Sequence, residues 1–158
     1  MKLSLLAIAA IVALPAAAQP STSNDQTVET IAERNTPAAT LAAYRAALET
    51  RDAEAMQSLF AESSLIFENG KAEGSFDDYL AHHLGPELHA IESFTFSDPT
   101  LEVEQHGEVA IAHETYGYAI SLSDGRRIER LGVATSVLVQ EDSDWKILRY
   151  HSSSRTPR

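Results

Sequence analysis

The spacing of apolar residues predicts helices in the first half of the chain and strands in the second. Downstream of Thr36, apolar side chains recur every three or four residues, which places them on one face of a helix. They are Leu41, Tyr44 and Leu48. Thr36-Pro37 predicts the start of this helix, because threonine is a good N-cap and proline suits the first turn. A second, short helix capped by Asp52 is expected to follow.

A short strand, a tight turn and a third helix are predicted between residues 64 and 91. Residues 64–68 have strand character, and Asn69-Gly70 is typical of a hairpin turn. Ser75 and Asp78 have the spacing of a capping box, so a helix is expected to begin there. Gly85-Pro86 predicts its end, because proline lacks a backbone N–H and clashes with the preceding turn, and residues 87–91 are expected to form at most one further turn.

From residue 93 onward, alternating apolar and polar residues predict antiparallel strands. The predicted strands are residues 94–96, 101–105, 109–122, 127–140 and 145–153, and a turn at Asp98-Pro99 is expected to separate the first two. Strict alternation in the last strand would place Trp145, Ile147, Arg149, His151 and Ser153 on one face. Helices followed by long antiparallel strands indicate an α+β domain, with the helices packed on one side of a curved sheet.

The beginning of the chain predicts a secretory signal peptide at residues 1–18. A short positive start, Met1-Lys2, precedes an apolar run over residues 3–14, and small residues stand before the expected cleavage site. Residues 19–35 are polar and are expected to form a flexible lead-in to a domain at residues 36–155. The protein is therefore expected to be exported, either periplasmic or secreted. No membrane attachment is expected after cleavage, because the apolar run is too short to span a bilayer.

Composition and charge exclude several classes of function. The chain has no cysteine, so neither a disulfide nor a cysteine-linked lipid anchor is available. Its formal net charge of −11 repels nucleic acid, which we exclude as a partner. The sequence contains no phosphate-binding loop, dinucleotide fingerprint, EF-hand loop or nucleophile elbow.

The order of elements, together with the ending WKILRYHSSSR, resembles the SnoaL-like, nuclear transport factor 2-like superfamily. The other resembling segments are TPAATLAAYRAALETRDAEAMQSLFAESSLIFENG, ETYGYAI and DGRRIERLGVATSVLVQEDSDWKILRYHSSS. The resemblance implies a cone-shaped α+β domain (a cystatin-like α+β barrel) with a deep pocket. Steroid isomerases, polyketide cyclases, dehydratases, binding modules and dimerisation domains share this fold, so the resemblance leaves the reaction open. It also implies a homodimer.

Six histidines and Glu68 provide candidate metal ligands. Glu68, His83 and His151, with His113 or His82 as a further ligand, would suit one zinc or copper ion, because both metals accept imidazole and carboxylate ligands.

Proton transfer is the alternative chemistry for the same groups. Glu68 or His151 would act as a general base on an acidic C–H bond inside the cone. The candidate pocket residues are Phe67, Tyr116, Tyr118 and Tyr150, with a tyrosine hydroxyl as oxyanion donor.

Three classes of function stay open on the sequence alone, because it does not decide which strand faces line the pocket. The first is a protein that binds a small ligand or a metal ion. The second is a proton-transfer enzyme of the isomerase, cyclase or dehydratase type. The third is a homodimeric structural module, in which the alternating residues of the strand at 127–140 pair two sheet faces. These residues are Leu131, Val133, Thr135, Val137 and Val139.

Overall fold

The structure, a computed structural model, describes residues 35–158. The predicted signal peptide and, except for Asn35, the predicted lead-in lie outside the described residues, so export stays a prediction. Within residues 35–158, no helix has the length and apolar character needed to cross a membrane.

Helices and short strands come first, and four long strands follow. In chain order the elements are α1 (Pro37–Thr50), α2 (Ala53–Ser58), β1 (Phe60–Glu68), β2 (Lys71–Gly74), α3 (Phe76–Tyr79), a π-helical turn (Leu80–Leu84), α4 (Gly85–Ala90), β3 (Ile91–His106), β4 (Val109–Leu122), β5 (Arg127–Glu141) and β6 (Asp144–Arg155).

The six strands form one curved, unclosed sheet in the order β2-β1-β6-β5-β4-β3. β1 and β6 run parallel, and every other neighbouring pair is antiparallel. The helices pack against one side of this sheet, which we call the inner face; the opposite side is the outer face. The predicted α+β architecture is confirmed.

The predicted helix starts are confirmed by their capping contacts. The Thr36 side chain accepts a hydrogen bond from the backbone N–H of Ala39, and Asp52 accepts one from Ala55. Ser75 and Asp78 form a complete capping box at the start of α3. Each contact satisfies a backbone donor that the first helical turn leaves unpaired.

The hydrophobic core lies between α1 and the inner face. α1 contributes Leu41, Tyr44 and Leu48, all buried. The inner face contributes alanines from β4 and β5 and larger side chains from β5 and β6. They are Ala110, Ala112, Ala134, Leu138, Trp145, Ile147 and Tyr150. The alanines leave room for α1 to lie close to the sheet.

A β-bulge in β6 overturns the predicted alternation in that strand. Val137 pairs with Arg149, whereas Leu138 pairs with Ile147, so Leu148 is an extra residue between two register positions. A bulge moves the side chains that follow it to the other face. As a result Ile147 and Tyr150 are both buried, and His151 is exposed on the outer face. The prediction that Ile147 and His151 share a face is wrong.

Gly85-Pro86 does not end the third helix, contrary to the prediction. The backbone N–H of Gly85 donates to the carbonyl of Leu80, five residues back, so the chain widens into a π-helical turn before α4 begins. A Cβ atom on Gly85 would lie 2.3 Å from that carbonyl oxygen, which explains the glycine. Pro86 lies in the first turn of α4, where a missing N–H is tolerated. His83 and Glu87 therefore lie on one helical segment.

Asp98-Pro99 does not separate two strands either. β3 is continuous over Ile91–His106, and its register with β4 shifts between Ser97 and Thr100. Asp98 has a φ of 48°, a left-handed conformation that aspartate tolerates better than most residues. The turn residues seen in the sequence therefore form a bulge inside one strand.

Candidate functional site

A cavity of about 120 Å³ lies between the inner face, α1 and the segment formed by α3, the π-helical turn and α4. All five tyrosines of the chain line it, and we call it the tyrosine cavity. They are Tyr44, Tyr79, Tyr116, Tyr118 and Tyr150. Phe94 and Phe96 of β3 and two carboxylates, Glu68 and Glu87, also contribute to the lining.

A larger and shallower groove of about 510 Å³ crosses β3 to β6 near Asp98, Leu131 and Arg155. Several of the residues along it are exposed, among them Ser97, Thr115 and Val133. The tyrosine cavity brings buried phenols and a carboxylate together, and ligand sites characteristically combine an apolar wall with a few convergent polar groups. It is therefore the candidate functional site.

The tyrosines reach the cavity from three parts of the fold. Tyr116 and Tyr118 alternate onto the inner face of β4, and the bulge in β6 turns Tyr150 to the same side. Tyr44 comes from α1, and its ring meets that of Tyr150 edge-on with 5.3 Å between centroids. Tyr79 ends α3. The sheet, α1 and α3 therefore contribute tyrosines from separate parts of the sequence.

Edge and stacking contacts fix the aromatic rings of the cavity wall. Phe94 stacks on Tyr118 with centroids 5.5 Å apart, and Phe96 meets Tyr116 edge-on at 5.1 Å. A Cβ atom on Gly132 would lie 2.3 Å from Cε2 of Tyr116, so the Tyr116 ring occupies the space that any other residue at position 132 would fill. Gly132 thereby sets the position of this ring.

Four of the five tyrosine hydroxyls take part in hydrogen-bond contacts. Tyr118 donates to Oγ of Ser154 at 3.1 Å, and the hydroxyls of Tyr116 and Tyr150 lie 3.4 Å apart. Tyr79 donates to Oε2 of Glu68 at 2.7 Å. Burial raises the pKa of Tyr44, Tyr79, Tyr116 and Tyr150 above the ordinary phenol value. These side chains are therefore neutral phenols at physiological pH.

Glu68 lies beside an imidazole that faces two further carboxylates. Nδ1 of His83 is 3.1 Å from Oε1 of Glu73 and 3.9 Å from Oε2 of Glu68, while its Nε2 is 3.4 Å from Oε1 of Glu87. A neutral imidazole has one N–H, so only an imidazolium presents a donor at both nitrogens. Lys71 donates to Glu73 at 2.7 Å. That contact, and more weakly the one with His83, lowers the pKa of Glu73.

A second carboxylate, Glu114, is buried on the inner face next to the cavity. It is 4 % exposed and forms an ion pair with Arg45 of α1. Burial raises the pKa of Glu114, and the neighbouring guanidinium of Arg45 opposes this shift. Neither residue is part of the cavity lining. The pair joins α1 to the sheet, and no local sequence pattern predicts it.

The structure separates the residues predicted to bind a metal. Glu68 and His83 lie together, whereas His151 is on the outer face with its ring 6.1 Å from that of Phe67. His113 is also on the outer face, where its Nδ1 lies 3.3 Å from the Thr135 hydroxyl.

His82 is exposed on the π-helical turn. In the part of the chain that the structure describes, no three His, Asp or Glu side chains are grouped as a metal site requires. A zinc or copper site built from the predicted residues would therefore need a rearrangement.

Three of the four predicted pocket residues line the cavity, and the fourth lies on the outer face. Tyr116, Tyr118 and Tyr150 line the tyrosine cavity, whereas Phe67 is 38 % exposed on the outer face and is not in the lining. Tyr44 and Tyr79 also line the cavity, although they are not among the predicted pocket residues. The signal for Tyr44 was present, because it shares a helix face with Leu41 and Leu48; the fold alone brings Tyr79 to Glu68.

A profile of the SnoaL-like domain family matches residues 38–157 of the chain. The chain belongs to this family. A search of curated proteins finds no match. The predicted resemblance to the SnoaL-like, nuclear transport factor 2-like superfamily is therefore confirmed.

Solved structures similar to this SnoaL-like domain have the same fold at low sequence identity. A nuclear transport factor 2-like superfamily protein from Salmonella enterica is 15 % identical, with a TM-score of 0.65 and coverage of 86 % of this chain and 94 % of that one. A conserved protein from Planctomyces limnophilus is 16 % identical, with a TM-score of 0.69 and coverage of 83 % and 99 %. A ketosteroid isomerase-like protein from Erwinia carotovora is 17 % identical, with a TM-score of 0.61 and coverage of 75 % and 93 %.

Proposed function

We propose that this SnoaL-like domain binds a small organic molecule in the tyrosine cavity, with Glu68 as its main polar contact. One observation supports this above the others: all five tyrosines of the chain and a carboxylate meet around one cavity. Ligand pockets are typically lined by apolar and aromatic side chains with a few polar groups that converge on the ligand, and this lining has that composition.

The cavity volume limits the size of the ligand. At about 120 Å³ it is smaller than the roughly 300 Å³ at which pockets for drug-sized ligands begin. A compact molecule, or the head group of a longer one that extends past Glu87, fits this space. A rigid polycyclic ligand would require the segment formed by α3, the π-helical turn and α4 to move.

A cavity-filling variant tests this proposal. Ser152 contributes to the lining next to Glu68, so Ser152→Leu should occupy part of the cavity. The probes are phenol, acetone, acetate and tetramethylammonium, and the readout is the ring carbon shifts of ¹³C-labelled tyrosine. At least one probe should shift these signals in the unmodified protein but not in Ser152→Leu.

The matched control for the cavity-filling variant is Thr135→Leu, which adds an apolar side chain to the outer face. Thr135→Leu should respond to the probes as the unmodified protein does. Shifts that persist in Ser152→Leu, or the absence of shifts with every probe, would contradict binding in the cavity.

A second candidate is proton transfer by Glu68, and the contact between Tyr79 and Glu68 favours it. A carboxylate at a cavity wall, held at 2.7 Å by a neutral phenol, is positioned to remove a proton from a bound C–H acid. Acetone in heavy water provides the test, since catalysed exchange of its methyl protons is visible by NMR.

Exchange should fall to background in Glu68→Gln and persist in His151→Ala, whose imidazole is on the outer face. Equal exchange rates in the protein and in Glu68→Gln would remove this candidate and leave the binding proposal in place.

We also infer that the outer face contacts a second copy of the chain. Large apolar side chains are exposed there, from β1 across to β4. They are Leu65, Phe67, Val109, Ile111, Leu131 and Val133. Large exposed apolar side chains gathered on one face can mark an interaction surface, and the homodimer implied by the superfamily would cover them.

A further inference from the structure

We propose that the tyrosine cavity selects small organic cations, namely protonated amines or quaternary ammonium groups. This proposal rests on the proposed function, since it names the chemical class of the ligand that the cavity binds. Three features of the lining support it: the number of aromatic rings, the sign of the charges at the wall, and the way the hydroxyls are used.

Aromatic rings dominate the wall of the cavity. Five tyrosines are joined there by Phe94 and Phe96. The face of an aromatic ring carries partial negative charge, and an organic cation within about 6 Å of its centre is attracted to it. Several rings around one space form the aromatic cage that recognises quaternary ammonium groups.

The charged side chains at the wall are all acidic. Glu68 and Glu87 are in the lining, which contains no Lys, Arg or His within residues 35–158. The nearby guanidinium of Arg45 is paired with Glu114. A cationic ligand would therefore meet a carboxylate, whereas an anionic ligand would meet like charges that nothing in the wall offsets.

His83 does not reverse this charge balance. Its imidazole is closer to Glu73 and Glu87, at 3.1 and 3.4 Å, than to Glu68, at 3.9 Å. Even with His83 protonated and Lys71 bound to Glu73, three carboxylates face two positive charges. The charged groups around Glu68 therefore stay net negative. The overall charge of −11 adds to the attraction of cations.

Four of the five tyrosine hydroxyls of the wall are already engaged. Tyr79 donates to Glu68, Tyr118 donates to Ser154, and the hydroxyls of Tyr116 and Tyr150 face each other. For the oxygen atoms of a neutral carbonyl compound or a carboxylate, the wall has left the hydroxyls of Tyr44, Ser152 and Ser153. A cation bound through ring faces and carboxylate oxygens needs no such donor, and this favours a cation over a neutral polar ligand.

Tetramethylammonium and tert-butanol distinguish charge from shape, because both are compact, branched and similar in size. Each is titrated against ¹³C-tyrosine-labelled protein at constant ionic strength. Tetramethylammonium should bind at least about tenfold more tightly than tert-butanol, as expected for cation–π and carboxylate contacts together.

Two variants identify the source of the selectivity. Glu68→Gln removes the wall carboxylate and keeps its shape, and Tyr116→Leu removes one ring face. Each should weaken tetramethylammonium binding about fivefold or more, while the affinity for tert-butanol changes less. Glu102→Gln, which neutralises an exposed carboxylate of β3, is the matched control and should leave both affinities unchanged.

The possible outcomes separate this proposal from the one it rests on. If tert-butanol binds as tightly as tetramethylammonium, the cavity is a ligand site but does not select cations. If tetramethylammonium binds equally well to Glu68→Gln and Tyr116→Leu, the wall does not provide the selectivity and the proposal is wrong. If neither probe nor any of phenol, acetone and acetate shifts the tyrosine signals, both proposals fail.

Discussion

The two faces of β4 have opposite surroundings, although the outer one carries the more aliphatic side chains. The outer face begins with Val109 and Ile111, both exposed, whereas the inner face begins with Ala110 and Ala112, both fully buried. Further along, the inner face carries the buried carboxylate of Glu114. What covers each face therefore decides burial, because α1 packs on the inner side and needs small residues beneath it. Hydrophobicity alone would have assigned the core to the wrong face of this strand.

The inner face also holds polar groups that the outer face could expose at little cost. The charged groups and Tyr118 have partners within the described residues: Glu114 has Arg45, Glu68 has Tyr79, and Tyr118 has Ser154. The buried hydroxyl of Ser136 has none there. A buried polar group without a partner costs about 1–3 kcal/mol, so such pairs are expected inside. On the outer face His113 and His151 are exposed, and water can satisfy them. Substitutions on the two faces should consequently differ in size.

The largest difference is expected between two leucines of β5. Leu138 is on the inner face and 0 % exposed, and Leu131 is on the outer face and 40 % exposed. Leu138→Ala should lower the free energy of unfolding by about 2–5 kcal/mol, since it leaves a cavity in the core. Leu131→Ala should cost less than about 1 kcal/mol in the monomer. Urea unfolding at low protein concentration measures both.

Protein concentration provides the control for this pair. If a second copy covers the outer face, the cost of Leu131→Ala should grow with protein concentration, because unfolding is then linked to dissociation. The cost of Leu138→Ala should not depend on it. A large, concentration-independent cost at Leu131 would contradict the assignment of this residue to an exposed outer face.

Loss of Arg45 is expected to have the next largest effect. Arg45→Met leaves Glu114 buried without its counter-charge, which should cost about 3 kcal/mol at pH 7.5. Burial already raises the pKa of Glu114, and removal of the guanidinium raises it further. A carboxyl whose pKa is raised in the folded state favours folding below its unfolded pKa, and this contribution is lost as the pH rises through the folded pKa. The loss of unfolding free energy in Arg45→Met should therefore become smaller as the pH falls toward 5.

The double variant Arg45→Met/Glu114→Leu separates charge burial from lost packing. It replaces the ion pair by apolar side chains and should recover most of the stability at pH 7.5, with little dependence on pH. A deficit of Arg45→Met that is equal at pH 5 and pH 7.5 would show that packing, and not the charge of Glu114, is responsible.

Local sequence signals were sufficient for the helix starts and for most strands. Thr36, Asp52 and Ser75 cap the helices as predicted, because capping depends on residues within one turn. The chain continues through Gly85-Pro86 and Asp98-Pro99 because a π-helical turn and a β-bulge absorb these residues. Both the π-helical turn and the β-bulge depend on tertiary packing, which a local sequence pattern does not contain.

The candidate site was less accessible to sequence analysis than the fold. Tyr116 and Tyr118 belong to one strand, and their common face follows from alternation. Tyr44 and Tyr79 join them through the packing of two different helices against the sheet. The position of Tyr150 depends on the single extra residue Leu148, and without that bulge His151 would face the cavity instead.

The smallest effects are expected on the outer face, at His151 and His113. His151→Ala and His113→Ala should each change the free energy of unfolding by less than about 0.5 kcal/mol, because both side chains are exposed. Neither should alter the response of the tyrosine signals to tetramethylammonium. Tyr150→Leu, at the position preceding His151, should weaken that response and destabilise the fold. Because Tyr150 and His151 are adjacent, this contrast depends on the bulge at Leu148 alone. A His151→Ala variant that lost the response would place His151 inside and invert the two faces at this end of β6.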